Sequence, residues 1–95
     1  SSKDLDSLKG EVHKVQAVFL QEVDRAELEK VLPVMAMEVR GKFFTLIVRG
    51  SLEEIQAKLA PFNPAAVEAM PLTLEEVFLY EMEVMGYDAN VLFHD

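Results

Sequence analysis

The sequence predicts an α+β fold of two layers, in the order strand, helix, strand, strand, helix, strand and one further helix. Three observations lead to this prediction. Two stretches alternate apolar and polar residues on either side of a glycine, which is typical of a β-hairpin. Each predicted helix begins at a capping residue with a glutamate three positions later. A proline ends or precedes each of those helices.

The chain begins with a predicted central strand and a helix. Residues 12–23 carry apolar side chains on both faces, which is typical of a strand covered on two sides. Asp24 and Glu27 form the first capping box, and Pro33 stops the helix that follows. The apolar face of this helix is predicted to consist of Leu28, Val31 and Leu32.

The alternating stretches around Gly41 predict the hairpin. The two strands span 34–40 and 42–49. A two-residue loop at Arg40 and Gly41 pairs Met37 with Phe44. This pairing puts the alternating apolar residues of the two strands on the same face of the hairpin. Gly41 supplies the positive φ that such a turn requires. Because arginine suits this loop poorly, a four-residue loop that preserves the same faces stays open.

The second half of the chain adds a helix, a strand and a helix. Ser51 and Glu54 begin the second helix, which Pro61 ends. Residues 65–70 are predicted to be a weak edge strand, because the fold needs a partner strand there. The last helix is predicted within 70–86. Its start is marked by Pro71, Thr73 and Glu76, and its end by Gly86.

The last helix carries an apolar stripe at helical spacing, which predicts packing against the core. The stripe consists of Leu74, Val77, Phe78, Met82 and Met85. With this element order, an antiparallel sheet with helices on one face is the ferredoxin-like arrangement. The outward strand face, formed by Val18, Leu20, Phe43 and Ile47, is too apolar to stay exposed as one patch. We expect the last helix or a partner to cover it.

Composition limits the function classes. Nine basic and seventeen acidic residues give a net charge of −8, which disfavours nucleic acid and anionic membranes as partners. There is no cysteine, and no apolar run is long enough to span a bilayer, so we expect no direct membrane insertion. RNA binding on this fold would need stacking aromatics, and Phe43 alone is available for that.

No pattern in the sequence predicts a catalytic, cofactor-binding or metal site. His13 and His94 have no second ligand at a suitable spacing, and there is no phosphate-binding loop. The methionines are interpreted as core filling or, near the C-terminus, as an adaptable contact surface. Six residues are predicted to contact another protein: Phe43, Ile47, Met82, Met85, Leu92 and Phe93.

One motif resembles a known family. Pro71, followed by a helix that begins Leu74-Glu75-Glu76-Val77-Phe78, is similar to the C-terminal end of ABC transporter ATP-binding subunits. There the motif closes a small accessory domain that follows the nucleotide-binding domain. The resemblance implies that residues 1–11 are the remnant of a linker from a preceding domain, 12–86 the accessory domain and 87–95 a tail.

The resemblance implies a non-catalytic domain that regulates or stabilises subunit association in a longer protein. That protein would bind ATP and magnesium and hydrolyse ATP to drive transport, as a cytoplasmic protein peripheral to the inner face of the cell membrane. The implied partners are the preceding ATP-binding domain of the same chain, a second copy in a homodimer, and the membrane subunit of the transporter. This segment contains none of the family's catalytic elements, so it is expected to bind no cofactor and to be no enzyme itself.

Two alternatives with the same fold stay open. The first is a regulatory domain that senses a small ligand, and the second is a stand-alone dimerisation module.

Overall fold

The computed structural model describes residues 12–86, which form one four-stranded antiparallel sheet and three α-helices. The strands are β1 (Val12–Val18), β2 (Val34–Arg40), β3 (Phe43–Arg49) and β4 (Ala66–Met70), in the spatial order β2-β3-β1-β4. The helices are α1 (Arg25–Val31), α2 (Leu52–Leu59) and α3 (Leu74–Val84), and a 3₁₀ turn, Ala60–Phe62, follows α2. This architecture confirms the predicted α+β class and is compatible with a ferredoxin-like sandwich.

The main core lies between one face of the sheet and helices α1 and α2. Side chains alternate between faces along a strand, so Val15 and Ala17 of β1 share a face with Leu46 and Phe44, their partners on β3. The rings of Phe19 and Phe44 meet edge to face, with centroids 5.0 Å apart. The buried cluster consists of Val15, Ala17, Phe19, Leu28, Leu32, Phe44, Leu46, Val48, Ile55 and Leu59.

The first strand is shorter than predicted. It ends at Val18 and does not continue to Val23. Both neighbouring strands end their pairing with it at this residue, because Val18 lies opposite Phe43 of β3 and Ala66 of β4. After one further backbone hydrogen bond, from the Phe19 N–H to Lys42 O at 3.0 Å, the chain leaves the sheet, and Leu20 is exposed to solvent.

The hairpin uses a different register from the predicted one. The two-residue loop begins at Gly41, and Met37 pairs with Leu46 instead of Phe44. Gly41 has a φ of +58° at the first loop position, where a type II′ turn requires glycine. Arg40 therefore stays in the strand. The shift is two residues, so the predicted faces are preserved.

The helix starts follow the predicted capping residues. Asp24 Oδ1 accepts a hydrogen bond from the Ala26 N–H at 2.9 Å, and not from the Glu27 N–H as the predicted box requires. Ser51 Oγ accepts from the N–H three residues further on, at 3.1 Å. The strand β4 lies at the edge of the sheet as predicted, and α3 begins four residues after its end at Met70.

Candidate interaction surface on the terminal helix

The first turn of α3 is attached to the sheet through one glutamate. Thr73 Oγ1 accepts from the Glu76 N–H at 3.1 Å, and Glu76 Oε1 accepts from the Thr73 N–H at 2.9 Å, which completes the predicted capping box. The second oxygen, Oε2, accepts from Lys14 Nζ at 3.2 Å. Lys14 lies on β1 opposite Ile47, on the sheet face that points away from the main core. A single carboxylate therefore caps the helix and holds it to β1.

These contacts change the acidity of two groups on α3. The hydrogen bond from the Thr73 backbone, followed by the Lys14 ammonium, lowers the pKa of Glu76 below its usual 4.5. One turn further along, partial burial raises the pKa of Tyr80, and the nearby charges of Glu83 and Glu76 raise it further. Polar groups thus occupy much of the half-buried side of the helix.

The side of α3 that meets the sheet is defined by Glu76, Leu79 and Tyr80, which are all half-buried and recur at helical spacing. We call it the inner face. Because Glu76 is bonded to Lys14, this face is turned towards β1. The predicted apolar stripe lies on the other side of the helix cylinder.

The outer face of α3 consists of four exposed apolar side chains: Leu74, Val77, Phe78 and Met85. Their exposed fractions are 85%, 37%, 54% and 70%, and α3 contains no buried residue. The prediction that the stripe packs into the core is therefore wrong. The Lys14–Glu76 ion pair lies on the inner face, so this face meets the sheet and the stripe lies outside.

The second face of the sheet is covered at one end. Val12 and Ile47 are 3% and 5% exposed although they lie outside the main core cluster. At the other end Val18 is half-buried, while Leu20 and Phe43 are 67% and 50% exposed. Of the two contact residues predicted on β3, the structure therefore presents Phe43 at the surface and places Ile47 inside.

The other predicted contact residues are at the C-terminal end. Met85 is exposed on the outer face of α3, and Met82 is half-buried one turn before it. Leu92 and Phe93 lie outside the described residues. A role in protein contact stays a prediction for each of them.

Sequence reasoning missed Leu74 and Phe78 as surface residues. A signal was present, because Leu79 makes α3 apolar on the opposite side as well. A helix that is apolar on two sides is expected to lie between two surfaces. One of those surfaces is the sheet, which α3 meets through Glu76 and Lys14.

The histidine of the described segment has a structural partner. His13 Nδ1 donates a hydrogen bond to Gly50 O at 2.7 Å, which ties β1 to the loop before α2. Between residues 12 and 86, no three His, Cys, Asp or Glu side chains are grouped so that they could hold a metal ion. Over the same residues, no helix is long and apolar enough to cross a bilayer.

An open cleft of about 490 Å³ lies between the loop after β1 and the β2–β3 hairpin. Phe19 and Phe44 line its apolar part, and Glu22, Arg25 and Lys42 bring charges of both signs to it. Charged groups of both signs at one cleft are suited to orienting a small polar molecule. This cleft was not predictable from the sequence, because its lining residues come from separate segments.

Fold and surface together define a small α+β domain whose terminal helix presents an apolar face. The chain is 36% identical over 76 residues to the ABC transporter ATP-binding protein YtrB of Bacillus subtilis (strain 168). The aligned part is 80% of this chain and 25% of YtrB, so the chain spans about a quarter of that relative. This similarity confirms the predicted resemblance to ABC transporter ATP-binding subunits. No protein-family model matches the chain, and no solved structure matches it significantly.

Proposed function

We propose that the chain is a non-catalytic accessory domain that follows the ATP-binding domain of an ABC transporter ATP-binding protein. Its role is to stabilise or regulate subunit association. The observation that carries the proposal is the 36% identity to a segment that makes up 25% of YtrB. The exposed outer face of α3 supports it, because apolar helix faces of this kind are typical of interaction sites.

In this proposal the longer protein binds ATP and magnesium through its preceding domain and couples ATP hydrolysis to transport. The accessory domain sits at the cytoplasmic face of the membrane through that protein. Its neighbours are the preceding domain, a second subunit and the membrane subunit of the transporter. The acidic net charge of −8 supports a protein neighbour over an anionic lipid surface.

Two measurements test the proposal. Calorimetric titration of the 95-residue chain with MgATP should give no binding, whereas the full-length protein should bind. Deleting this segment from the full-length protein should preserve nucleotide binding and lower the fraction that assembles into complete transporters. Micromolar ATP affinity that maps to these residues, or normal assembly without them, would contradict the proposal.

The cleft favours a second candidate function, the sensing of a small charged ligand. Selective binding to the native state raises stability, by about 2.7 kcal/mol when the ligand is at a hundred times its Kd. A thermal-shift panel of small metabolites should then contain a compound whose effect disappears in Arg25→Ala and Lys42→Ala. The matched control is Lys58→Ala, on an exposed residue of α2. A panel without any shift contradicts the sensor.

A further inference from the structure

We propose that the cleft between the loop after β1 and the β2–β3 hairpin binds a small zwitterion, a molecule with a carboxylate and an ammonium group joined by a short apolar part. The proposal deepens the second candidate function and rests on it, because it names the ligand class for that same cleft. Three observations carry it: opposite charges on the two walls, an apolar bottom between them, and hydrogen bonds that hold the walls in place.

The two walls of the cleft carry opposite charges that are not joined to each other. Glu22 lies in the loop after β1 and Lys42 in the hairpin turn, and both are exposed at the cleft. The ion pairs that join two described residues use other side chains, so Glu22 and Lys42 stay separated across the cleft. A ligand with an ammonium group at one end and a carboxylate at the other compensates both charges.

The other charges around the cleft preserve this balance. Asp24 and Arg25 are neighbours on the loop wall and have opposite charges, and one oxygen of Asp24 already accepts from the Ala26 N–H. The charged residues of β2, Glu38 and Arg40, are paired with each other at 2.8 Å. The lining therefore has two carboxylates and two cations. A simple anion would face both carboxylates and a polyamine both cations, whereas a zwitterion meets an opposite charge at each end.

The bottom of the cleft is apolar. Phe19 and Phe44 are 1% and 6% exposed, so they form its deepest part. Val23 and Val39 are half-buried and add apolar surface to the lining. Methylene groups between the charged ends of a ligand would be removed from water here, which is favourable. The volume of about 490 Å³ is within the range of small-molecule sites, about 300–1,000 Å³.

Hydrogen bonds hold the loop wall against the rest of the fold. The Phe19 N–H donates to Lys42 O at 3.0 Å, which ties the loop to the hairpin turn. Gln21 Nε2 donates to Phe62 O at 2.6 Å and to Asn63 O at 3.2 Å, which ties the same loop to the segment after α2. Because the cleft is already formed, binding requires little ordering of the chain, and this favours affinity for a small ligand.

A two-dimensional NMR titration of the 95-residue chain tests the proposal. The probes are L-leucine and the ω-amino acids from glycine to 6-aminohexanoate, which all carry both charges and differ in their apolar part. The tightest binder is then compared with its amide, which lacks the carboxylate, and with its N-acetyl form, which lacks the ammonium group. We expect the zwitterion to bind at least about tenfold more tightly than either derivative. The backbone signals that shift should be those of residues 19–25 and 39–44.

Two variants assign the ends of the ligand to the two walls. Lys42→Gln should weaken binding of the zwitterion about tenfold and leave the affinity of the amide unchanged, because the amide has no carboxylate. Glu22→Gln should weaken binding of the zwitterion by a similar factor and leave the affinity of the N-acetyl form unchanged. A purely structural role of either residue would weaken all three ligands alike. The matched controls, Lys58→Gln and Glu53→Gln on exposed positions of α2, should change no affinity.

Three outcomes would overturn the proposal: equal binding of the amide or the N-acetyl form, no binding of any zwitterion, or binding that neither cleft variant changes. These outcomes are distinguishable from failure of the sensor. If the metabolite panel still contains a compound whose effect requires Arg25 and Lys42, the sensor stands and the ligand class is wrong. If neither the panel nor the zwitterions bind, both are wrong. The ATP and assembly tests of the accessory domain are independent of either result.

Discussion

Two leucine-to-alanine substitutions in different helices test the central structural finding, that α3 turns its apolar stripe to solvent. Leu28 of α1 is 0% exposed and belongs to the main core. Leu74 at the start of α3 is 85% exposed. Because the same chemical change is made in a helix in both variants, intrinsic helix propensity contributes equally and the difference reports burial.

The expected magnitudes differ widely. Leu28→Ala removes a fully buried side chain and leaves a cavity, so the free energy of unfolding should fall by about 3 kcal/mol. For a domain of this size each kcal/mol lowers the Tm by about 4–8 °C, so the Tm should fall by about 12–24 °C. Leu74→Ala should change the free energy of unfolding by no more than about 0.5 kcal/mol.

Urea denaturation followed by circular dichroism, with a thermal scan alongside, measures both quantities. If the unfolding free energy depends on urea concentration with the same slope in both proteins, the substitution has changed stability and not the compactness of the folded or unfolded state. A loss of more than about 2 kcal/mol for Leu74→Ala would mean that the stripe is part of the core and that the orientation of α3 is wrong. A loss below about 1 kcal/mol for Leu28→Ala would refute the assignment of the core itself.

Two further predictions concern the start of α3. Thr73→Ala removes the hydroxyl that accepts from the Glu76 N–H, so unfolding by urea should show a loss of about 1 kcal/mol, whereas Thr73→Ser should retain most of the stability. The pKa of Glu76 is lowered in the folded chain, so its carboxylate contributes stability above pH 4.5, and the contribution is lost as the pH falls through the lowered pKa. Glu76→Gln keeps an acceptor for the Thr73 N–H but no longer titrates. The difference in unfolding free energy between the unsubstituted protein and this variant should therefore shrink from pH 7 to pH 3. A difference that widens as the pH falls would contradict the lowered pKa of Glu76.

Local signals in the sequence predicted most of the fold. Asp24, Ser51 and Thr73 mark helix starts because a capping side chain acts on backbone groups two or three residues away. The alternation around Gly41 predicted the hairpin and its faces for the same reason, although the register was two residues off. Hydrophobic periodicity and capping residues are local properties of the sequence, so these features do not depend on contacts with distant parts of the chain.

Features set by distant contacts were not predictable in this way. The end of β1 at Val18 depends on where two other strands begin and end. The inner face of α3 meets the sheet at Lys14, which is 62 residues from Glu76 along the chain. Hydrophobic periodicity identified the stripe, but an amphipathic pattern does not state which neighbour the apolar side meets. For the same reason the cleft beside Arg25 and Lys42 had no signature in the sequence.

The Lys14–Glu76 ion pair has one more consequence. Glu76 uses one oxygen for Lys14 and the other for the Thr73 N–H, so its replacement removes the attachment to β1 and half of the capping box together. Ion pairs at a surface weaken as salt is added, so the attachment of α3 to β1 is weaker at high ionic strength.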